Sequence, residues 1–148
     1  MENDLEIDPQ RASLEQAIAL LKPLRQHRQA RAERQQREAQ QTLENSHEQL
    51  QHVEARLTRQ TEEQHTRRAQ LASQHLQQCM GFEEVGRWHD RERRMLDHLA
   101  TLRHEVHQQQ ALLETHQAQL QQASDQARQA QRAVEKLACL TEALNDES

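Results

Sequence analysis

The sequence predicts an all-α protein: two long helices forming an antiparallel coiled-coil hairpin. Three features point there. Apolar residues from Val85 to Leu144 hold a seven-residue repeat in one register. The composition suits uninterrupted helix, and both glycines of the 148-residue chain lie near its middle. One row of the repeat reads Val85, Glu92, Leu99, Val106, Leu113, Leu120, Ala127, Val134, Thr141. The row three residues later reads Trp88, Met95, Leu102, Gln109, His116, Ala123, Ala130, Leu137, Leu144. Rows spaced three and four apart are the a and d positions of a coiled coil, a narrow seam that needs a partner helix.

The chain divides into an acidic tail over residues 1–8, a first arm over about 9–79, a turn over about 80–86 and a second arm over about 87–145, one hairpin in all. Asp8-Pro9 is a good helix start, with Asp as N-cap and Pro at the first helical position. Ser13 with Gln16 offers a second start by the capping-box pattern. Pro23 removes a helical hydrogen bond and clashes one turn back. A kink near Ala19–Pro23 is therefore expected, or a short first helix followed by the long one. Beyond it Leu43, Leu50, Leu57, Gln64 and Leu71 form a sparser seam, with Ala39, Ser46, Val53, Gln60 and Arg67 as its companion row. This arm depends on the second for its order, because helices gain most of their stability from packing.

The break falls at Cys79-Met80-Gly81-Phe82-Glu83-Glu84-Val85-Gly86. Glycine tolerates the left-handed geometry that ends a helix, and Glu83-Glu84 suit the first turn of the next. Either Gly81 alone makes the turn, or the turn runs through to Gly86. Arms of near-equal length joined this way fold back antiparallel, which favours a monomeric hairpin over a dimer of straight helices.

Composition narrows the function. One Phe, one Trp and no Tyr leave too little for an ordinary globular core. The formal net charge of −5 gives no general reason to expect nucleic acid. No apolar run approaches the roughly 20 residues of a membrane span, and the acidic N-terminus lacks signal-peptide character. A cytoplasmic protein without direct membrane insertion is expected. Cys79 and Cys139 would lie far apart in a hairpin, so both read as free thiols in a reducing compartment. No catalytic constellation and no cofactor motif is present, so no enzyme is expected. His98, His104 and His107 fall short of the zincin spacing and read as solvated polar residues, with no metal expected.

Three regions are candidate sites. Arg25, Arg28, Arg31, Arg34 and Arg37 recur every three residues as a spiralling basic band. The band reads as a solvated face partly paired with Glu135 or Asp125, ahead of a phosphate-binding surface, since no aromatics interleave to stack bases. Met80, Phe82, Val85 and Trp88 concentrate large apolar surface at the tip. They serve either as an exposed partner anchor, with Phe82 and Trp88 as hot spots, or as the last seam layer capped by Phe82. At the other end Leu5, Ile7, Leu14, Ile18 and Leu21 gather with Leu137, Leu140 and Leu144, to plug a groove or close the seam.

The stretch Leu20-Leu21-Lys22-Pro23-Leu24-Arg25-Gln26-His27-Arg28-Gln29-Ala30, the chain length and the two arms about a central break resemble the stalk subunit of bacterial type III secretion systems. That is the YscO/HrpO group, whose flagellar counterpart is FliJ. The resemblance implies a non-catalytic stalk that stands in the pore of the hexameric secretion ATPase and reaches toward the export-gate membrane protein. In some systems such stalks also handle secretion chaperones. It implies a peripheral place at the inner-membrane secretion apparatus. By analogy, Leu14, Ile18, Leu21, Lys22, Arg25, Leu137, Leu140 and Leu144 would contact the ATPase, and the Met80–Trp88 tip would face the gate. A different expectation from the residues alone is an adaptor or chaperone that grips an amphipathic partner helix along the weak first-arm seam.

Overall fold

The computed structural model describes residues 8–75 and 81–147. They form two helices, α1 (Pro9–His75) and α2 (Phe82–Asp146), paired as an antiparallel helical hairpin. The acidic tail through Ile7, with Leu5, and the segment holding Cys79 and Met80 lie outside the described residues.

Helix α1 begins as its sequence dictates. The Gln10 amide donates to Asp8 Oδ1 at 3.0 Å and the Ala12 amide to the Asp8 carbonyl at 3.0 Å, so Asp8 is the N-cap and Pro9 the first helical residue. The expectation of a short first helix ending at Pro23 does not hold: α1 runs through Pro23 as one element. Pro23 and Ala19 are both exposed, so the Ala19 carbonyl that loses its helical donor stays on the hydrated face.

The start of α2 also corrects an expectation. The second arm begins at Phe82, not near residue 87, and Gly86 is helical. Gly81 does not take the left-handed conformation, for no described glycine has a positive φ. Its carbonyl instead accepts the amides of Glu84 at 3.1 Å and Val85 at 3.2 Å, which makes it the N-terminal boundary of α2. Glu83 and Glu84 then occupy the first turn, where carboxylates complement the helix dipole.

Packing follows the heptad rows within each of two compact units. The first comprises residues 1–42 and 117–148, and its buried apolar residues are Ile18, Ala32, Ala127 and Leu137. Cross-helix hydrogen bonds from side chains join its halves. Arg11 Nη2 donates to the Leu144 carbonyl at 2.6 Å, Arg25 Nη1 to the Ala133 carbonyl at 2.8 Å, and Gln36 Nε2 to Ser124 Oγ at 3.2 Å. Small residues at Ala32 and Ala127 bury little area, so arginine and glutamine carry part of this pairing by reaching over the seam.

The second unit, residues 43–116, holds the larger core. Leu50, Val53 and Val106 cluster with Leu57 and Leu113, and Leu99 and Leu102 are each only 1% exposed. Ser46 is the single buried polar residue among those described. The rising α1 numbers meet falling α2 numbers, as in the Arg56–Glu105 and Arg68–Glu92 ion pairs at 3.9 and 3.0 Å. That order is the signature of antiparallel pairing.

Candidate functional surfaces

The candidates divide between seam and solvent. Near the chain ends, Ile18 and Leu137 are buried and Leu21 and Leu144 are partly buried. Arg25 is tied to Ala133. These residues close the helix pair, and a partner could reach them only by opening it. Leu14, Lys22 and Leu140 are exposed and remain open to a partner. Leu140 stands beside Arg132, Glu135, Lys136 and Cys139 along a shallow surface, where Cys139 is a free, exposed thiol.

At the start of α2, Phe82 is 96% exposed and Val85 is exposed, while Trp88 is partly buried. Phe82 therefore does not cap the final layer. Trp88 contributes to the pair instead, beside an open groove of about 350 Å³ lined by Gln64, Arg67, Leu71, Arg91, Glu92 and Met95 among others. Arg68 Nε stands 3.0 Å from Glu92 Oε1 as an ion pair without an aligned hydrogen bond. Glu92 occupies an a position, and its side chain is mostly covered while that of Arg68 is exposed. The covered carboxylate oxygen is therefore met by a cation that reaches to it from an exposed side chain.

The basic band departs from its expected pairing. Arg25 belongs to the seam, while Arg28, Arg31, Arg34 and Arg37 are exposed. Among the described residues none of the four forms an ion pair. Glu135 and Asp125, expected to offset them, bond along their own helix instead, and so does Glu33 within the band. Gln29 donates to Glu33 at 3.1 Å, Gln121 to Asp125 at 3.1 Å and Gln131 to Glu135 at 3.1 Å. Such i,i+4 contacts form without any cross-helix reach.

The expected adaptor groove is also changed by packing. Leu50 and Val53 of the first arm are buried, and Leu43, Leu57 and Leu71 are partly buried. This seam is occupied by α2, so a gripped helix would have to use another face. One such face was not evident from the heptads: Leu20 is 70% exposed and Leu24 is also exposed, on the side of α1 away from Ile18. Their i,i+4 spacing was visible, but the neighbouring Leu21 disguised which leucines face water.

His98, His104 and His107 are exposed, and no three His, Cys, Asp or Glu side chains gather as a metal set among the described residues. Nor is any helix among them long and apolar enough to cross a membrane. No family model, no curated protein and no solved structure matches the chain.

Proposed function

We propose that the protein is a non-catalytic stalk of a type III secretion system, inserting its paired chain ends into the hexameric secretion ATPase and linking it to the export gate. The observation that carries this reading is the antiparallel pairing of two helices of 67 and 65 residues. A stalk must transmit position between two machines, and helices that satisfy their own backbone groups and interlock through side chains are suited to that task. Each helix has a contour of about 100 Å at ~1.5 Å per residue. The resemblance of the Leu20–Ala30 stretch to the YscO/HrpO group supports the same assignment.

In this reading Leu14, Lys22 and Leu140 supply the ATPase contact, because they are exposed near the paired ends. Phe82 and Val85 supply a contact toward the gate. The stalk would act at the periphery of the inner membrane, and secretion chaperones would be further partners. The experiment is to mix the purified chain with the secretion ATPase of the same cell. Faster hydrolysis or promoted hexamer formation is expected. No change in either, together with no binding to the gate protein, would overturn the assignment.

A further inference from the structure

The face of α1 opposite the seam carries an apolar-to-basic gradient. Taking about 100° per residue, Leu20, Leu24, His27, Arg31 and Arg34 fall within roughly 80° of one another, and Arg28 borders them. All six are exposed, while Ile18, Arg25, Gln29 and Ala32 on the far side face the helix pair. Leu20 and Leu24 form one apolar patch at one end. The arginines that follow have no ion pair among the described residues, since Glu33 is engaged by Gln29. The face spans about four helical turns and ends at the exposed Glu38.

We propose that this face docks an acidic amphipathic helix of a partner protein. Its leucine-bearing end covers Leu20 and Leu24, and its carboxylates meet Arg28, Arg31 and Arg34. Charge complementarity selects the occupant. The guanidiniums offer forked donors that carboxylates match in pairs, and the leucines at i,i+4 spacing match the side-chain ridges of a second helix. Antiparallel docking is favoured because it places the partner's carboxylates near its own N-terminus, where the helix dipole stabilises them. A nucleic acid would leave the leucines uncovered, and no aromatic side chain stands among these arginines to stack a base. This surface is separate from the seam and stands whether or not the protein is a secretion stalk.

The test uses the full chain and a synthetic four-turn helical peptide with glutamates through its N-terminal half and leucines at i,i+4 in its C-terminal half. Fluorescence anisotropy reads binding. A second peptide replaces the glutamates with lysines. The acidic peptide should bind and the lysine peptide should not, and affinity should fall as salt rises. Leu20→Gln/Leu24→Gln and Arg31→Glu/Arg34→Glu should each weaken binding by at least about tenfold, with the helical melt unchanged. Binding that ignores either double variant, or that favours the lysine peptide, would overturn the proposal. So would sedimentation of the chain with phosphatidylserine vesicles that depends on the same leucines, because that result assigns the face to a lipid surface.

Discussion

Arg25 and Ala133 lie 108 residues apart in sequence and are joined by a 2.8 Å hydrogen bond from the Arg25 guanidinium to the Ala133 carbonyl. Arg25 occupies the same heptad row as Ile18 and Ala32, where a coiled coil normally places an apolar residue. Its stem packs on the pair while its head reaches the partner backbone, so the residue serves two ends at once. A charged donor on a partly buried carbonyl contributes about 1–2 kcal/mol. Arg25→Ala should therefore lower the thermal midpoint by several degrees in circular dichroism. Arg28→Ala, on an exposed residue without a cross-helix partner, should leave the midpoint nearly unchanged.

The Leu99 and Leu102 side chains are each 1% exposed and mark the best-packed part of the second unit. Shortening either to Ala removes buried methyl groups and leaves a cavity that two helices cannot fully collapse. A loss of about 2–5 kcal/mol is expected for each. Leu140→Ala, at an exposed position, should cost less than about 0.5 kcal/mol. Urea denaturation of the three variants gives the comparison. Equal midpoints for Leu99→Ala and Leu140→Ala would contradict the assigned seam.

Most of this fold was legible because a heptad row is a statement about burial. Leu99, Leu102, Val106, Ala127 and Leu137 are all buried in the rows that the sequence marks. Val85 and Thr141, at the two ends of one row, are exposed because helix pairs have fewer neighbours at their termini. The start of α2 was less legible, since Gly86 looked like a breaker. A glycine can remain in a helix when surrounding pairing outweighs its cost of about 1 kcal/mol. The candidate surfaces were the least legible. A basic residue every three positions does not reveal that Arg25 turns inward while Arg28 and Arg31 do not. The heptad row that Arg25 shares with Ile18 and Ala32 separates them, but with an arginine in it that row reads as an apolar seam only once the partner helix supplies the Ala133 carbonyl.

Gly86 and Pro23 are both helix breakers held inside helices, so both should yield stabilising substitutions. A methyl group added at Gly86 meets nothing within 4 Å, and its backbone does not have a positive φ. Gly86→Ala should therefore raise stability by about 0.5–1 kcal/mol through lower unfolded-state entropy. Pro23→Ala restores an amide that can donate to the Ala19 carbonyl, and Pro23 is exposed with no packing to lose. Its gain should be larger, up to about 3 kcal/mol. Thermal melts of the two variants check the order, and hydrogen exchange near Pro23 should slow in the second. A lower midpoint for Pro23→Ala would show that the pairing depends on proline at this position.

Ser46 presents a sharper case, because its Oγ is buried without a hydrogen-bond partner among the described residues. It lies in the row between Ala39 and Val53, where the seam would accept a small apolar side chain. Ser46→Ala removes an unsatisfied polar atom and places a better helix former at the same position. Together these should raise stability by about 1 kcal/mol. Ser124 supplies the control of opposite sign: its Oγ accepts the Gln36 amide at 3.2 Å across the pair. Ser124→Ala should lose that bond and leave Gln36 partly covered, lowering or at best preserving the midpoint. Denaturant titration of both variants therefore reads two serines with the same chemistry but different partners. If Ser46→Ala were the more destabilising of the two, its hydroxyl would be engaged by a bound water, and the seam at this layer would be wet rather than dry.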